Sequence, residues 1–260
     1  MTGNTTDESS LIEGATLHGA QPVAVPGTLV WGRFTLQFMT VTLLFFIASV
    51  PAVVMFGMTS EGLIGSVAGS MAAALLLCWF WLSRDGHLAA AWNLRAPTSW
   101  GNTLALASLG TVLIIAWFQF GSWLVSQLGI DTPNVVAIMD FVTESPISFA
   151  MWIVFVAWFA AGFGEELLYR GFLMDRLQRL RGIGDKMWLV ILIQAVLFSF
   201  PHLYQGLGGV IITGVVGAGL GYLRVRCGGN LWACILAHAA VDTIMMSLAY
   251  ANSLGMLGTS

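Results

Sequence analysis

Residues 157–177, AWFAAGFGEELLYRGFLMDRL, decide the fold, because they place two adjacent glutamates and an arginine inside a strongly apolar run. These residues are Glu165, Glu166 and Arg170. A charged side chain at the centre of a membrane helix costs about 2.5–3.5 kcal/mol on insertion scales. So costly a group predicts a functional site within a membrane rather than a chance arrangement.

A second apolar run, LWACILAHAAVDTIMMSLA at 231–249, carries two more polar side chains, His238 and Asp242. His202 lies in the same kind of surroundings. These three residues complete the candidate intramembrane polar site.

The composition predicts an all-α, polytopic membrane protein. The chain is 57% hydrophobic and 9% charged, whereas soluble domains carry about 25% charged residues. The formal net charge is -3 and no basic run is present, so no nucleic-acid partner is expected and the lipid bilayer is the expected surrounding. The three cysteines fit neither a disulfide framework nor a zinc ribbon, and we interpret them as packing residues.

Seven apolar segments approach the length of about 20 residues that a bilayer requires. They lie at 34–58, 61–82, 103–128, 147–180, 187–202, 206–223 and 230–250. In the fourth, the end MDRLQRLR is amphipathic and is expected to emerge at the membrane interface. In the fifth, Pro201 is expected to disrupt the helix end. In the glycine-rich sixth, the spacing of Gly217 and Gly221 permits close helix contact, although chance is an alternative explanation.

The predicted organisation has four parts. Residues 1–30 are polar and are expected to be a disordered tail. Residues 31–146 are expected to form three N-terminal transmembrane helices, residues 147–250 a catalytic core, and residues 251–260 a C-terminal tail. The N-terminal tail, residues 1–30, lacks the features of a signal peptide, so the first apolar segment is expected to remain as a transmembrane helix.

The positive charges predict the topology. With a cytoplasmic N-terminus, every Lys and Arg apart from Arg170 falls at a cytoplasmic loop or helix end. The opposite loops, around 59–60, 129–146 and 203–205, contain none. The prediction is therefore a multi-pass protein of the plasma (inner) membrane, with its C-terminus outside.

Spacing suggests different roles for the charges of the fourth segment. Glu166 and Arg170 are four residues apart, so they share a helix face and can pair. Glu165 lies about 100° around the helix and escapes this pair, which leaves it available as a general base. The alternative is that all three side chains form a purely structural ion network.

The histidines extend the site to two other segments. Glu165 and His202 each lie about 22 Å from the turn that joins their segments, so they can face each other. His238 and Asp242 share a helix face, and Asp242 can orient the His238 ring, or His238 can donate to a developing oxyanion. A zinc ion held by Glu165, His202 and His238 is a further alternative.

Other protease signatures are absent or misplaced. The sequence has no HExxH and no serine nucleophile motif in an apolar helix. The letters GxGD occur at 182–185 between charged residues, which indicates a loop.

Three motifs resemble the family of CAAX proteases and bacteriocin-processing enzymes, the Abi family. EExxxR corresponds to 165–170, FxxxH to 198–202 and HxxxD to 238–242. The resemblance extends over about residues 147–250. It implies endopeptidase activity within the membrane, with Glu165, Glu166, Arg170, His202, His238 and Asp242 as the site residues.

The resemblance also implies residue roles. Glu165 and His202 would activate a water, while His238 and residue 242 would stabilise the oxyanion. In the similar eukaryotic endopeptidase an Asn usually stands at the position of Asp242, and an ionised Asp cannot donate a hydrogen bond. Asp242 would therefore be protonated or would orient His238. We favour a metal-free glutamic mechanism over a metalloprotease, with zinc as the alternative.

The predicted partner is a membrane-associated protein or peptide substrate. Two other functions remain alternatives: a non-catalytic role, such as bacteriocin self-immunity or a membrane scaffold, and a proton-coupled transporter. The complete motifs favour the protease. An odd number of segments and the lack of an inverted repeat disfavour the transporter.

Overall fold

The computed structural model describes residues 26–257, and this part of the chain is helical, with no strand. Seven of its helices are long and apolar enough to span a membrane, which confirms the predicted fold class. They are α1 (Trp31–Phe56), α2 (Ser60–Arg84), α3 (Trp100–Gln127), α4 (Pro146–Gln178), α5 (Met187–Gln205), α6 (Leu207–Arg226) and α7 (Trp232–Ser253). Two short helices, Leu88–Ala91 and Val136–Thr143, lie in loops and had no sequence signal that we recognised.

Helix α4 lies at the centre of the bundle. It packs against α2 on one side and α7 on the other, whereas α1 packs mainly on α2. Helices α5 and α6 form a hairpin, and α3 contacts α6 and α7. The residues that carry the candidate site on α4, α5 and α7 are therefore brought to the interior.

The loops gather at two ends. At one end, which we call the basic end, the Leu29 N–H donates to the Arg179 carbonyl at 3.1 Å and the Leu231 N–H to the Asn93 carbonyl at 3.1 Å. At the opposite end, the Asn134 N–H donates to the Gln205 carbonyl at 3.0 Å. The loops that these hydrogen bonds join lie at the same end of the bundle in the predicted antiparallel order of the seven helices.

The middle of α4, Trp152–Leu173, is wound as a π-helix, in which hydrogen bonds join residues five apart. Two glycines let its neighbours approach closely. A Cβ atom on Gly162 would lie 2.6 Å from the Ala239 Cβ of α7, and one on Gly164 would lie 2.4 Å from the Met71 Cγ of α2. Wide turns of this kind often accompany functional sites.

The glycine pair of α6 does serve close helix contact. A Cβ atom on Gly217 would lie 3.1 Å from the Ala195 Cα, and one on Gly221 would lie 2.7 Å from the Gln194 Nε2. Small residues at this face allow α6 to approach α5 directly. Helix α5 changes to a tight 3-10 turn at Phe200–Gln205, which confirms the predicted effect of Pro201.

The boundaries of the predicted tails need correction. Residues 1–25 and 258–260 lie outside the described residues. Residue 29, which we placed in the disordered tail, is Leu29, which is buried and forms an isolated bridge with Leu180. At the other terminus, α7 continues to Ser253, three residues beyond the predicted end of the catalytic core at residue 250.

The amphipathic end of α4, which is expected to emerge at the membrane interface, is covered by other parts of the protein. Asp175, Arg176 and Arg179 are buried in the protein. Arg176 donates to Asp85 at 2.7 Å and pairs with Asp175 at 2.9 Å, and Arg179 pairs with Asp175 at 2.9 Å. Arg33 of α1 also pairs with Asp85. These five residues form what we call the basic-end cluster, and ion pairing explains why an amphipathic segment is buried here.

Candidate active site

A cavity of about 880 Å³ lies within the bundle, and most of its lining is aliphatic or aromatic. Glu165 of α4, His202 of α5, and His238 and Asp242 of α7 all line it. The structure therefore brings four of the six predicted site residues to one space.

The other two predicted residues lie behind the cavity wall. The side chains of Glu166 and Arg170 are 0% exposed, and Arg170 Nη1 donates to Glu166 Oε1 at 2.9 Å. The predicted pair is thus confirmed. Arg170 Nη2 also donates to the Gly217 carbonyl at 3.2 Å, which ties α4 to α6.

Glu166 also fixes the ring of His238. The distance from His238 Nδ1 to Glu166 Oε1 is 2.8 Å, and a carboxylate can only accept, so Nδ1 carries a hydrogen. His238 Nε2 then faces Glu165 Oε2 and Asp242 Oδ2, each at 3.9 Å. The hypothesis that Asp242 orients this ring is therefore corrected, because the short contact is to Glu166.

His202 has a defined tautomer by the same reasoning. Its Nδ1 lies 3.1 Å from the Phe198 carbonyl, which can only accept, so Nδ1 carries the hydrogen. In the neutral ring Nε2 is then a lone-pair acceptor. Glu165 and His202 share the cavity, as predicted from their depth. The close ionic neighbour of Glu165, however, is His238.

Phe198 is a contact that sequence reasoning underestimated. Its ring centre lies 5.3 Å from that of His202 and 6.1 Å from that of His238, and the Arg170 Cζ stands 4.2 Å from it. Tyr169 packs edge-on against the same ring at 5.1 Å. One aromatic side chain therefore touches three residues of the site, and the four-residue spacing to His202 was the available signal.

Two glutamines were also missed. Gln194 is buried, and its Nε2 donates to the Gly217 carbonyl at 2.7 Å, the same oxygen that Arg170 reaches. Its signal was a lone amide in the apolar run MWLVILIQAVLF. Gln205 donates through Nε2 to the Tyr204 Oη at 2.9 Å, and Tyr204 stacks on His202 with ring centres 6.3 Å apart. Nothing in the sequence distinguished this second pair.

The donors predicted for zinc do not converge. Among residues 26–257, no group of three His, Cys, Asp or Glu side chains is arranged to hold a metal ion. The hydrogen bond from His202 Nδ1 to its own helix does not exclude His202 as a ligand, because a histidine held in this way can still bind a metal through Nε2. Independence from metal remains a prediction.

Residues 147–244 match a family model described as "Type II CAAX prenyl endopeptidase Rce1-like". The predicted resemblance to the CAAX protease and Abi family is confirmed. The matched region contains all six predicted site residues, and it includes α4 to α6 and most of α7. No curated protein and no solved structure matches the chain.

The match supports endopeptidase activity in general and a multi-pass membrane protein. It assigns no role to individual residues. Those roles rest on the geometry of the cavity and of the groups behind it.

Proposed function

We propose that this chain is an intramembrane endopeptidase that hydrolyses a peptide bond of a membrane-associated protein or peptide. The observation that carries the proposal is the meeting of Glu165, His202, His238 and Asp242 at one apolar cavity. An apolar cavity with a few convergent polar groups is the usual form of an active site.

Glu165 suits the role of general base. Its side chain is 23% exposed and lines the cavity, and it accepts no hydrogen bond from the described residues. It can therefore take a proton from a water molecule as the water oxygen bonds to the scissile carbonyl carbon. His202 Nε2 can accept the second hydrogen of that water, which would hold the water between the two groups.

The reaction then proceeds through a tetrahedral intermediate. The carbonyl electrons move to oxygen, and His238 Nε2 can donate to that oxygen when its ring carries both hydrogens. As the C–N bond breaks, the protonated Glu165 returns its proton to the leaving amine. Glu166 and Arg170 take part by holding the His238 ring through Nδ1.

The Glu165 base makes the proposed mechanism glutamic rather than metal-dependent. We expect purified, active protein to keep its activity after exhaustive dialysis against a strong chelator. Elemental analysis should find well under one zinc per chain. Zinc in stoichiometric amount, with activity lost on its removal and regained on its return, would overturn this part of the proposal.

An unbiased comparison of protein termini in cells tests the activity itself. Cells with the wild-type chain should contain new termini that are missing with Glu165→Gln. Glu144→Gln is a matched control, because Glu144 lies in the loop before α4 and does not line the cavity. Identical termini in all three strains would favour a non-catalytic role in self-immunity or scaffolding.

We also propose that the basic end faces the cytoplasm of a plasma (inner) membrane, which places the N-terminus inside and the C-terminus outside. Single cysteines at Asp185 and Asp131 test this orientation in a variant without native cysteines. An impermeant reagent added to intact cells should label Asp131→Cys alone. Labelling of Asp185→Cys alone would reverse the assignment.

A further inference from the structure

Tyr204 stands beside the candidate catalytic groups but has no part in the mechanism above. It lines the cavity together with Glu165, His202, His238 and Asp242. It belongs to the same 3-10 turn as His202, and their rings stack with centres 6.3 Å apart.

The hydrogen bond from Gln205 determines what the phenol can do. The Gln205 amide donates to Tyr204 Oη at 2.9 Å, so it uses a lone pair of that oxygen and leaves the O–H hydrogen free. Gln205 itself is buried, and its carbonyl accepts from the Asn134 N–H at 3.0 Å. The phenol oxygen is thus attached to a fixed part of the turn.

Apart from Tyr204, the only donor that the described site residues offer to a developing oxyanion is His238 Nε2, and it depends on the charge of the ring. His202 uses Nδ1–H on the Phe198 carbonyl, and its Nε2 is an acceptor in the neutral ring. An ionised Asp242 can only accept. His238 Nε2 donates only when that ring is charged. A tyrosine hydroxyl, by contrast, donates in its neutral form and needs no change of charge.

We propose that Tyr204 is a further catalytic residue, whose hydroxyl donates a hydrogen bond to the scissile carbonyl oxygen as that oxygen gains negative charge. The inference rests on the proposed protease function. Tyr204 keeps its proton throughout, since the proton taken from water moves to Glu165 and then to the leaving amine. Gln205 is a positioning residue that acts through Tyr204.

The test uses a peptide that spans a cleavage site identified from the cellular termini, with purified full-length protein in detergent. Tyr204→Phe should lower kcat by about 10²–10³-fold, as loss of one oxyanion donor typically does, with little change in KM. A phosphonate analogue of that peptide, which mimics the tetrahedral intermediate, should bind more weakly by a similar factor. Binding of the uncleaved peptide to Glu165→Gln should not change when Tyr204→Phe is added.

Controls separate this role from a structural one. Tyr222→Phe removes the same hydroxyl from an exposed tyrosine of α6 that does not line the cavity, and it should leave kcat unchanged. The double variant Tyr204→Phe, Gln205→Leu removes both partners of the hydrogen bond, so no amide is left without its acceptor. It should lose as much kcat as Tyr204→Phe while keeping the thermal midpoint of wild type.

The outcomes are distinct. If wild type cleaves the peptide and Tyr204→Phe keeps its kcat within about threefold, Tyr204 only anchors α5 at the membrane interface, as tyrosines often do, and the inference is wrong. Equal losses of affinity for the phosphonate and for the uncleaved peptide would also overturn it. If wild type produces no cleavage in cells, the proposed function fails first.

Discussion

Two buried ion clusters both include residues of α4, and they differ in how completely their charges are paired. In the basic-end cluster, both oxygens of Asp175 accept from arginines, and both oxygens of Asp85 have partners. In the candidate site, Glu165 and Asp242 have their nearest basic nitrogen at 3.9 Å, and Glu166 Oε2 has no partner among the described residues.

The difference teaches that a buried charge alone does not mark an active site. Both clusters combine carboxylates with arginines, and both are costly to bury. Only the candidate site borders the cavity, and its cavity-lining carboxylates, Glu165 and Asp242, have no basic nitrogen closer than 3.9 Å. We therefore associate carboxylates that border a cavity without a close basic partner with catalysis. We associate carboxylates whose oxygens both have partners with stability.

The largest expected effect comes from exchanging one carboxylate in each cluster. Glu165→Gln should lower kcat by about 10²–10⁴-fold with an unchanged thermal midpoint, because it removes the proton acceptor and only a 3.9 Å contact with the His238 ring. Asp175→Asn should keep kcat per folded molecule and lose about 3–5 kcal/mol of stability, because it breaks a buried pair. Steady-state kinetics and thermal unfolding in detergent check both. If kcat and the thermal midpoint changed alike in the two variants, the two clusters would not differ in function as we infer.

Arg170→Ala should join the two effects in one variant. It leaves Glu166 buried without its arginine, which typically costs about 3–5 kcal/mol, and it loosens the group that orients His238. Both the thermal midpoint and kcat should fall. Arg226→Ala, at an exposed position at the end of α6, is the control and should change neither. An unchanged midpoint in Arg170→Ala would show that its pair is not structural.

A smaller effect concerns acid sensitivity at the basic end. His87 accepts a hydrogen bond from Arg176 at 3.1 Å, and burial together with the charge of Arg179 holds the pKa of His87 below its usual value. The unfolded chain therefore binds more protons than the folded one below about pH 6.5, the usual pKa of histidine. Stability should fall as the pH drops from about 6.5 through the folded pKa of His87.

Thermal midpoints at about pH 7.5 and pH 5.5 measure this loss. His87→Gln keeps an acceptor for Arg176 but cannot take up a proton, so its midpoint should fall less on acidification. An equal fall in both proteins would place the acid-sensitive group elsewhere.

The smallest expected effect is that of Arg33→Ala. The Arg33 side chain is 45% exposed, and exposed ion pairs contribute about 0–1 kcal/mol. Asp85 also keeps Gln37 and Arg176 as partners in this variant. A thermal midpoint that falls as far as that of Asp175→Asn would show that the cluster acts as one unit rather than as graded pairs.

Most of the fold was predictable, because a bilayer demands long apolar runs and these are visible in the sequence. All seven spanning helices were found, with ends within a few residues. The Glu166–Arg170 pair was predictable too, because both residues lie on one helix and their spacing determines the contact.

The rest depends on contacts between helices, which spacing along one helix does not reveal. His238 meets Glu166 because of the way α7 packs on α4, and no local pattern distinguished Glu166 from Asp242 as its partner. The burial of Arg176 depends on Asp85, which is far away in sequence. The π winding of Trp152–Leu173 likewise has no signature in hydropathy.

Gly171, directly after the EExxxR motif, packs against a residue that is distant in the sequence. A Cβ atom on Gly171 would lie 2.6 Å from the Trp92 ring, and the Trp92 Nε1 donates to the Leu167 carbonyl at 2.9 Å. The absence of a side chain at Gly171 thus leaves room for the Trp92 indole of the α2–α3 loop. Positions 92 and 171 should therefore covary among related chains. A residue larger than glycine at position 171 should occur only in chains with a small residue at position 92. In this protein, Gly171→Ala should lower stability, and a smaller residue in place of Trp92 should restore it.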